Sequence, residues 1–426
     1  MSPLLPTDPG FVFDPLSPEY DRDPYPILAV LREHAPVHLV PGVDAIFLSR
    51  HADVTEVLAD EARFSADRTL WEHWTPPPAE HANHPVVRMT RANLLAYDGA
   101  EHTRLRKLAS AALTRRAVRN LDARMHALAD ELIDAFIERG ECDFVAEFAA
   151  IFPVAIISRL MGIAPDSERE RQFKALADSV VVAFNPMCSE ADKLRSIQSM
   201  TISLEAVREL MEEKRANPGN DLLTDMVQAE DEGRRFSSDE ILGTVMTLLI
   251  AGSETTANSL SFGLIELLRH PEQLARFRDE PGCRGDASLE IVRYQHPGRF
   301  LPRYAREATG IRGVPVRKGQ IVFCSVPSAQ RDPEAIADPD RFDIARPPHD
   351  LSAFGVGRHF CIGAQLARLE LEIALGHVLE RLEQIEVVGG FDAIPYRSNP
   401  AVRGPSALPI RFRRGTRVGA AASAPR

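Results

Sequence analysis

From about residue 100 to residue 268, apolar side chains recur at helical spacing with few interruptions, which predicts a run of packed helices. The interruptions fall at Gly140, Pro165, Pro186 and Asn217-Pro218-Gly219, residues that stop helices. The sharpest start signal is Ser237-Ser238-Asp239-Glu240, a capping box in which Ser237 and Glu240 each satisfy the other's backbone amide. The helix it opens should run to about Arg269, a length of ~45 Å. Its middle, Val245 to Ala251, is apolar on every side, the mark of a helix in the core of a large protein.

The flanks are less regular. Residues 1–20 read as an extended arm broken by Pro and Asp, followed by a short helix from Pro26 to Glu33. Two strand-like runs, Val37–Val40 and Ala45–Leu48, are joined by Pro41-Gly42, and His51 to Asp60 reads as helix. Residues 70–98 read as irregular, with Pro76-Pro77-Pro78 in the middle, and carry both tryptophans, Trp71 and Trp74. Beyond the helical block, Ile311–Val316 and Ile321–Cys324 read as strands and Ile362 to about Leu382 as a final helix. No repeat, low-complexity tract or linker divides the chain, so one large, mainly α domain with a minor β part is expected.

Composition narrows the function. Of 426 residues, 44% are hydrophobic and 26% charged, the mix of a soluble globular protein. A net charge of -11 argues against general affinity for nucleic acid. Five scattered cysteines make no disulfide framework. The N-terminus has no basic and apolar leader pattern, and no run reaches the ~18 apolar residues needed to span a bilayer. A cytoplasmic monomer without a membrane partner is the expectation.

The chemistry concentrates in Phe354-Gly355-Val356-Gly357-Arg358-His359-Phe360-Cys361-Ile362-Gly363-Ala364. Glycines let backbone approach a ligand closely, and a thiol at a helix start meets unpaired amides that favour its thiolate. Such a thiolate can serve as a nucleophile or as a ligand to a soft or borderline metal, and a buried cysteine in a glycine-rich turn is the ordinary alternative. A structural zinc site would need about four ligands, and no second cysteine pair lies at zinc spacing.

From Phe354 to Arg368 the chain resembles the haem-thiolate signature of the cytochrome P-450 family, F-G-x-G-x-H-x-C-x-G-x-x-L-A-R, with every fixed position filled. Other motifs of that family follow in order. Glu290-Ile291-Val292-Arg293 resembles its E-x-x-R pair, and Arg331-Asp332-Pro333 with Pro339-Asp340-Arg341-Phe342 resembles the meander that the pair holds. Ala251-Gly252-Ser253-Glu254-Thr255 matches its acid–alcohol motif inside the long helix, where a glycine and a carboxylate otherwise cost stability.

The resemblance implies a single-domain fold over residues 21–412, with haem b between the long helix and the cysteine loop and a disordered tail at 413–426. It makes Cys361 the iron ligand, with Ala251, Gly252, Phe354, Gly355 and Gly363 against the haem. It assigns His102, Arg106, Arg303 and His359 to the propionates, a set whose His102 and Arg106 share a helix face at i, i+4. Thr255 would stabilise oxygen at the iron and Glu254 deliver protons, while Glu290 and Arg293 are structural. The loop carrying Trp71 and Trp74 would cover the substrate, opposite Thr247, Ile250, Ala251, Phe300 and Leu301, with ordinary core packing of both tryptophans the equal alternative.

The implied activity is insertion of one atom of O2 into a lipophilic small molecule of steroid, terpenoid or polyketide class, with electrons from an external ferredoxin and its reductase. Between residues 101 and 120, Arg104, Arg106, Lys107, Arg115, Arg116 and Arg119 face only Glu101, a basic patch suited to an acidic ferredoxin. Two other readings are a haem-thiolate peroxygenase and a non-enzymatic haem protein that binds a ligand. The intact Glu254–Thr255 pair disfavours the first, and the want of any module to transmit a signal disfavours the second.

Overall fold

The capping box forms as the pattern predicts. The Glu240 carboxylate accepts the Ser237 amide at 2.7 Å while the Ser237 hydroxyl caps Glu240, and the helix so started, Ser238–Arg269, runs unbroken for 32 residues. The computed structural model describes residues 11–40, 42–112, 115–165, 167–183, 189–231, 233–347, 351–397, 399 and 401–415. Helices Ile151–Leu160, Arg284–Tyr294 and Ala364–Arg381 pack on the long helix. They share one large apolar cluster that includes Ile156, Val245, Leu249, Ile291 and Leu375. Gly263 is needed where the long helix meets the last helix: a Cβ there would stand 2.7 Å from Leu375 Cδ1.

The β part lies apart from this core and has two apolar clusters of its own. Its five-stranded sheet runs in the order Val37–Val40, Ala45–Leu48, Ile321–Cys324, Leu301–Ala305, Phe64–Ser65. Only the pairing of Ile321–Cys324 with Ala45–Leu48 is parallel. A second sheet joins Leu382–Val387, Pro409–Arg414 and Glu141–Asp143. No helix of the described residues is long and apolar enough to cross a membrane.

Two expectations need correcting. Residues 70–98 are not irregular throughout, because Pro85–Arg91 forms a helix. Pro85 supplies the first helical φ, the His84 ring nitrogen caps the Val86 amide at 3.3 Å, and Val86 and Met89 are buried one turn apart. Ile311–Val316 is two strands, Thr309–Ile311 and Val314–Val316, paired through Arg312-Gly313. Both turn residues have positive φ, 48° and 79°, the geometry of a two-residue hairpin that follows the strand twist. Arg312 tolerates it while its guanidinium is held on Asp53 at 2.6 Å. The predicted breaks at Pro41 and Pro186 lie outside the described residues.

Candidate active site

The cysteine loop turns back on itself at Gly355 and Gly357, whose φ values of 84° and 72° a side chain would strain. The Cys361 amide donates to the Phe354 carbonyl at 2.9 Å and closes the loop, and Gly363 caps the helix Ala364–Arg381. Cys361 opens on a cavity of about 230 Å³ walled by Phe354, Phe360, Arg106 and Arg368 among others. Burial pushes its thiol up in pKa, while the Gly363 amide and the Arg106 guanidinium pull the other way without prevailing. The helix-start amide does favour the thiolate as expected, and desolvation of the sulfur outweighs it.

His102 and Arg106 gather on the side of the thiol, and Asp98 is the carboxylate that acts on His102 and, with Glu61, on the buried Arg303. Both ring nitrogens of His102 are buried without a hydrogen-bond partner, and its ring centroid lies 4.2 Å from that of His359. Burial, then the neighbouring His359 and Arg106, bring its pKa down to about 4. Burial also lowers that of Arg106, with only the Cys361 sulfur opposing. Arg303 is buried and donates only to the Pro302 carbonyl, at 2.9 Å.

His359 differs, because Asp98 Oδ1 stands 3.4 Å from its Nε2. Burial works against ionising Asp98. Hydrogen bonds from His359, Ser65 and the Ala66 amide, with Arg306, nonetheless hold its carboxyl well below the usual range. Asp98 is a site residue that the sequence reading missed, although it stands four positions before His102. A thiol at a cavity beside an imidazole without hydrogen-bond partners and a desolvated guanidinium fits a metal-bearing dianion such as haem, whose two propionates would pair with His102, Arg106 and Arg303.

On the long helix Ala251 is exposed although its neighbours on the N-terminal side are enclosed. Gly252 points elsewhere: a Cβ there would come within 2.9 Å of Ile157 Cδ1. Its missing side chain makes room for the helix Ile151–Leu160. The Thr255 hydroxyl donates to the Ala251 carbonyl without breaking the helix. Glu254 is half-buried and accepts from Arg397 Nη1 at 3.3 Å and Asn399 Nδ2 at 3.2 Å.

Behind this pair sits a group that the sequence reading did not find. Glu370 of the last helix is buried with Oε1 unpartnered, and only Thr256 is bonded to it. Burial raises its pKa well above that of an ordinary carboxyl. The Ser253 hydroxyl nearby in sequence is also buried and unpartnered.

The proposed substrate contacts are dispersed. Thr247 is buried, and its hydroxyl already donates to the Gly243 carbonyl at 2.8 Å. Ile250 packs on the main apolar cluster. Phe300 stacks on Phe323 with centroids 4.1 Å apart and, with Trp71, packs on the cluster of the β part. Trp74 is half-buried. Leu301 is exposed and lies 4.0 Å from where a Gly355 Cβ would stand, beside the cysteine loop.

Beyond the cysteine loop, Arg293 forks onto both Glu290 oxygens at 2.6 and 2.8 Å. It also donates to the carbonyls of Gln330, Pro339 and Arg341. Glu290 in turn accepts the Asp343 amide at 2.9 Å. Of the expected basic patch, Arg104 is buried between Glu101 and Glu240 and so is no surface charge. The side chains of Arg115, Arg116 and Arg119 lie outside the described residues.

Comparison with known proteins agrees with this geometry. The family model described as cytochrome P-450 matches residues 38–282 and 288–388. Cytochrome P-450 107B1 of Saccharopolyspora erythraea is 36% identical over 88% of this chain and 91% of its own length. The cytochrome P-450 monooxygenase PikC of Streptomyces venezuelae is 36% identical over 95% of this chain and 94% of its own. Among solved structures, the cytochrome P-450 PksS of the Bacillus subtilis 168 bacillaene polyketide synthase superposes with a TM-score of 0.85. It is 30% identical and covers 94% of this chain and all (100%) of that one.

Proposed function

The chain belongs to the cytochrome P-450 family, and from that premise we propose that Cys361 would ligate the iron of its haem and that Glu254 and Thr255 hold and pass protons at the site. The protein is a haem-thiolate monooxygenase that acts on a small-molecule substrate with O2 and external redox partners. When bound, the thiolate-ligated haem activates O2 and inserts one of its atoms into the substrate. Cys361 would supply the sulfur, while His102, Arg106 and Arg303 would hold the propionates. The Thr255 hydroxyl and Glu254 carboxyl hold and pass protons at the long helix, and Ala251 leaves the space in which the substrate lies. The cofactor is haem b, since no Cys-x-x-Cys-His run is present for covalent attachment.

The electron donor is a ferredoxin, a reading supported by Arg106 and Arg368 at the cavity on the cysteine side. The substrate is a bulky lipophilic molecule of polyketide type, in keeping with the name of the PksS relative and with the apolar Ala251 and Leu301.

The observation that carries the site assignment is the buried, unpartnered His102 beside Arg106 and Cys361. Titrating haem into apoprotein tests it by absorbance. His102→Ala and Arg106→Ala should each weaken haem binding about tenfold, the worth of one charge-assisted hydrogen bond. Unchanged affinity in both variants would remove these residues from the propionate site.

A further inference from the structure

We propose that Asn399 and Arg397 are positioning residues for Glu254, fixing the proton-delivering carboxylate from the C-terminal segment of the chain. The inference rests on the proton role of Glu254 given above. Both of the carboxylate's oxygens are engaged, Oε2 by the Asn399 amide at 3.2 Å and Oε1 by the Arg397 guanidinium at 3.3 Å. These donors come from some 145 residues further along the chain, and Asn399 itself is rigidly held.

Its side-chain oxygen accepts the Ala401 amide at 2.9 Å, which leaves the NH2 as the end aimed at Glu254. Its carbonyl accepts Arg299 Nε at 2.6 Å. Arg299 is fully buried, bonded to the Pro15 carbonyl and paired with Asp21 near the other end of the chain. A donor this firmly anchored orients a flexible glutamate at little entropic cost, because its own freedom is already gone. Arg397 is the wet end of the clamp, its side chain 51% exposed against 20% for Glu254. Each proton that Glu254 passes inward toward Thr255 is therefore replaced from water at the Arg397 edge, and the carboxylate returns to the same orientation.

The clamp makes a prediction that a purely structural loop does not. Asn399→Ala and Arg397→Ala should each lower the fraction of consumed electrons recovered in product several-fold. Peroxide release and the solvent hydrogen-isotope effect should rise, while substrate binding, read by the shift of the haem absorption band, stays the same. Asn399→Asp, which sets one carboxylate against another, should be worse than the alanine variant, and Arg397→Lys should recover part of the loss. The infrared carboxylate band that disappears in Glu254→Gln should shift in Asn399→Ala.

The deciding comparison is the double variant. In a Glu254→Gln background, Asn399→Ala should add nothing to the uncoupling. Additive losses, or single variants that couple normally while Glu254→Gln does not, would overturn the clamp and leave the role of Glu254 standing. Normal coupling in Glu254→Gln itself would overturn both.

Discussion

The two walls of the site are built on opposite plans. Behind the cysteine loop the buried Glu290–Arg293 charge is satisfied at every turn. Arg293 meets two carboxylate oxygens and three carbonyls, and the loop closes on its own backbone through Cys361 and Phe354. Around the ligand space polar atoms are left over: among the described residues both His102 ring nitrogens, Ser253 Oγ and Glu370 Oε1 have no partner, and Glu254 is met by donors from a remote segment. The contrast shows a rigid wall that fixes a ligand and a second wall that keeps groups able to exchange protons. Buried polar groups without partners cost stability, and their presence around the ligand space marks where function is favoured over it.

Breaking the rigid wall should have the larger effect. Glu290→Ala would leave the Arg293 charge buried with only carbonyls around it, at a cost of about 3–5 kcal/mol. Denaturant unfolding with haem content as a second readout checks this, and a loss well under that size would mean that the 330–346 segment is held by other contacts.

Glu370→Gln probes the second wall and sharpens the contrast through pH. The folded pKa of Glu370 lies above its unfolded value, so its stabilising contribution is intact below the unfolded pKa and is lost as pH rises toward the folded one. Across that window wild type should lose about 1.4 kcal/mol per pH unit relative to the glutamine variant. The variant should therefore gain on wild type as pH rises above the ordinary carboxyl range, and the infrared band of a protonated carboxyl should vanish with it. A gap that does not change with pH would mean that Glu370 is ionised and paired.

Trp71→Ala should show the smallest effect. Trp71 packs on the apolar cluster of the β part with Phe300, and its partial burial is worth about 1–2 kcal/mol. Thermal unfolding should register that loss while the site of oxidation stays the same. A changed product with unchanged stability would return Trp71 to the substrate wall.

The same contrast explains how far the sequence could be read. The cysteine loop, the capping box and the E-x-x-R pair are local patterns whose partners stand within a few residues, and the resemblance to the family spans them in order. What Gly252 faces depends on Ile157, some ninety positions away, and no local signal distinguishes room for a helix from room for a ligand. Arg104 looked like surface charge because its partner Glu240 lies beyond the window in which charges can be counted. The Arg312-Gly313 turn lacks the Asn-Gly signal of its type, so two strands read as one. The Glu254 clamp and Glu370 arise from contacts between distant segments and have no pattern in the chain at all.

The central claim, that Cys361 anchors haem through sulfur at the rigid wall, is tested most directly by the spectrum of the reduced protein with carbon monoxide. Wild type should show the strongly red-shifted band of a thiolate ligand, and Cys361→His should move it to the position of an imidazole-ligated haem while Cys142→Ser and Cys324→Ser leave it in place. Survival of the red-shifted band in Cys361→His would contradict the account.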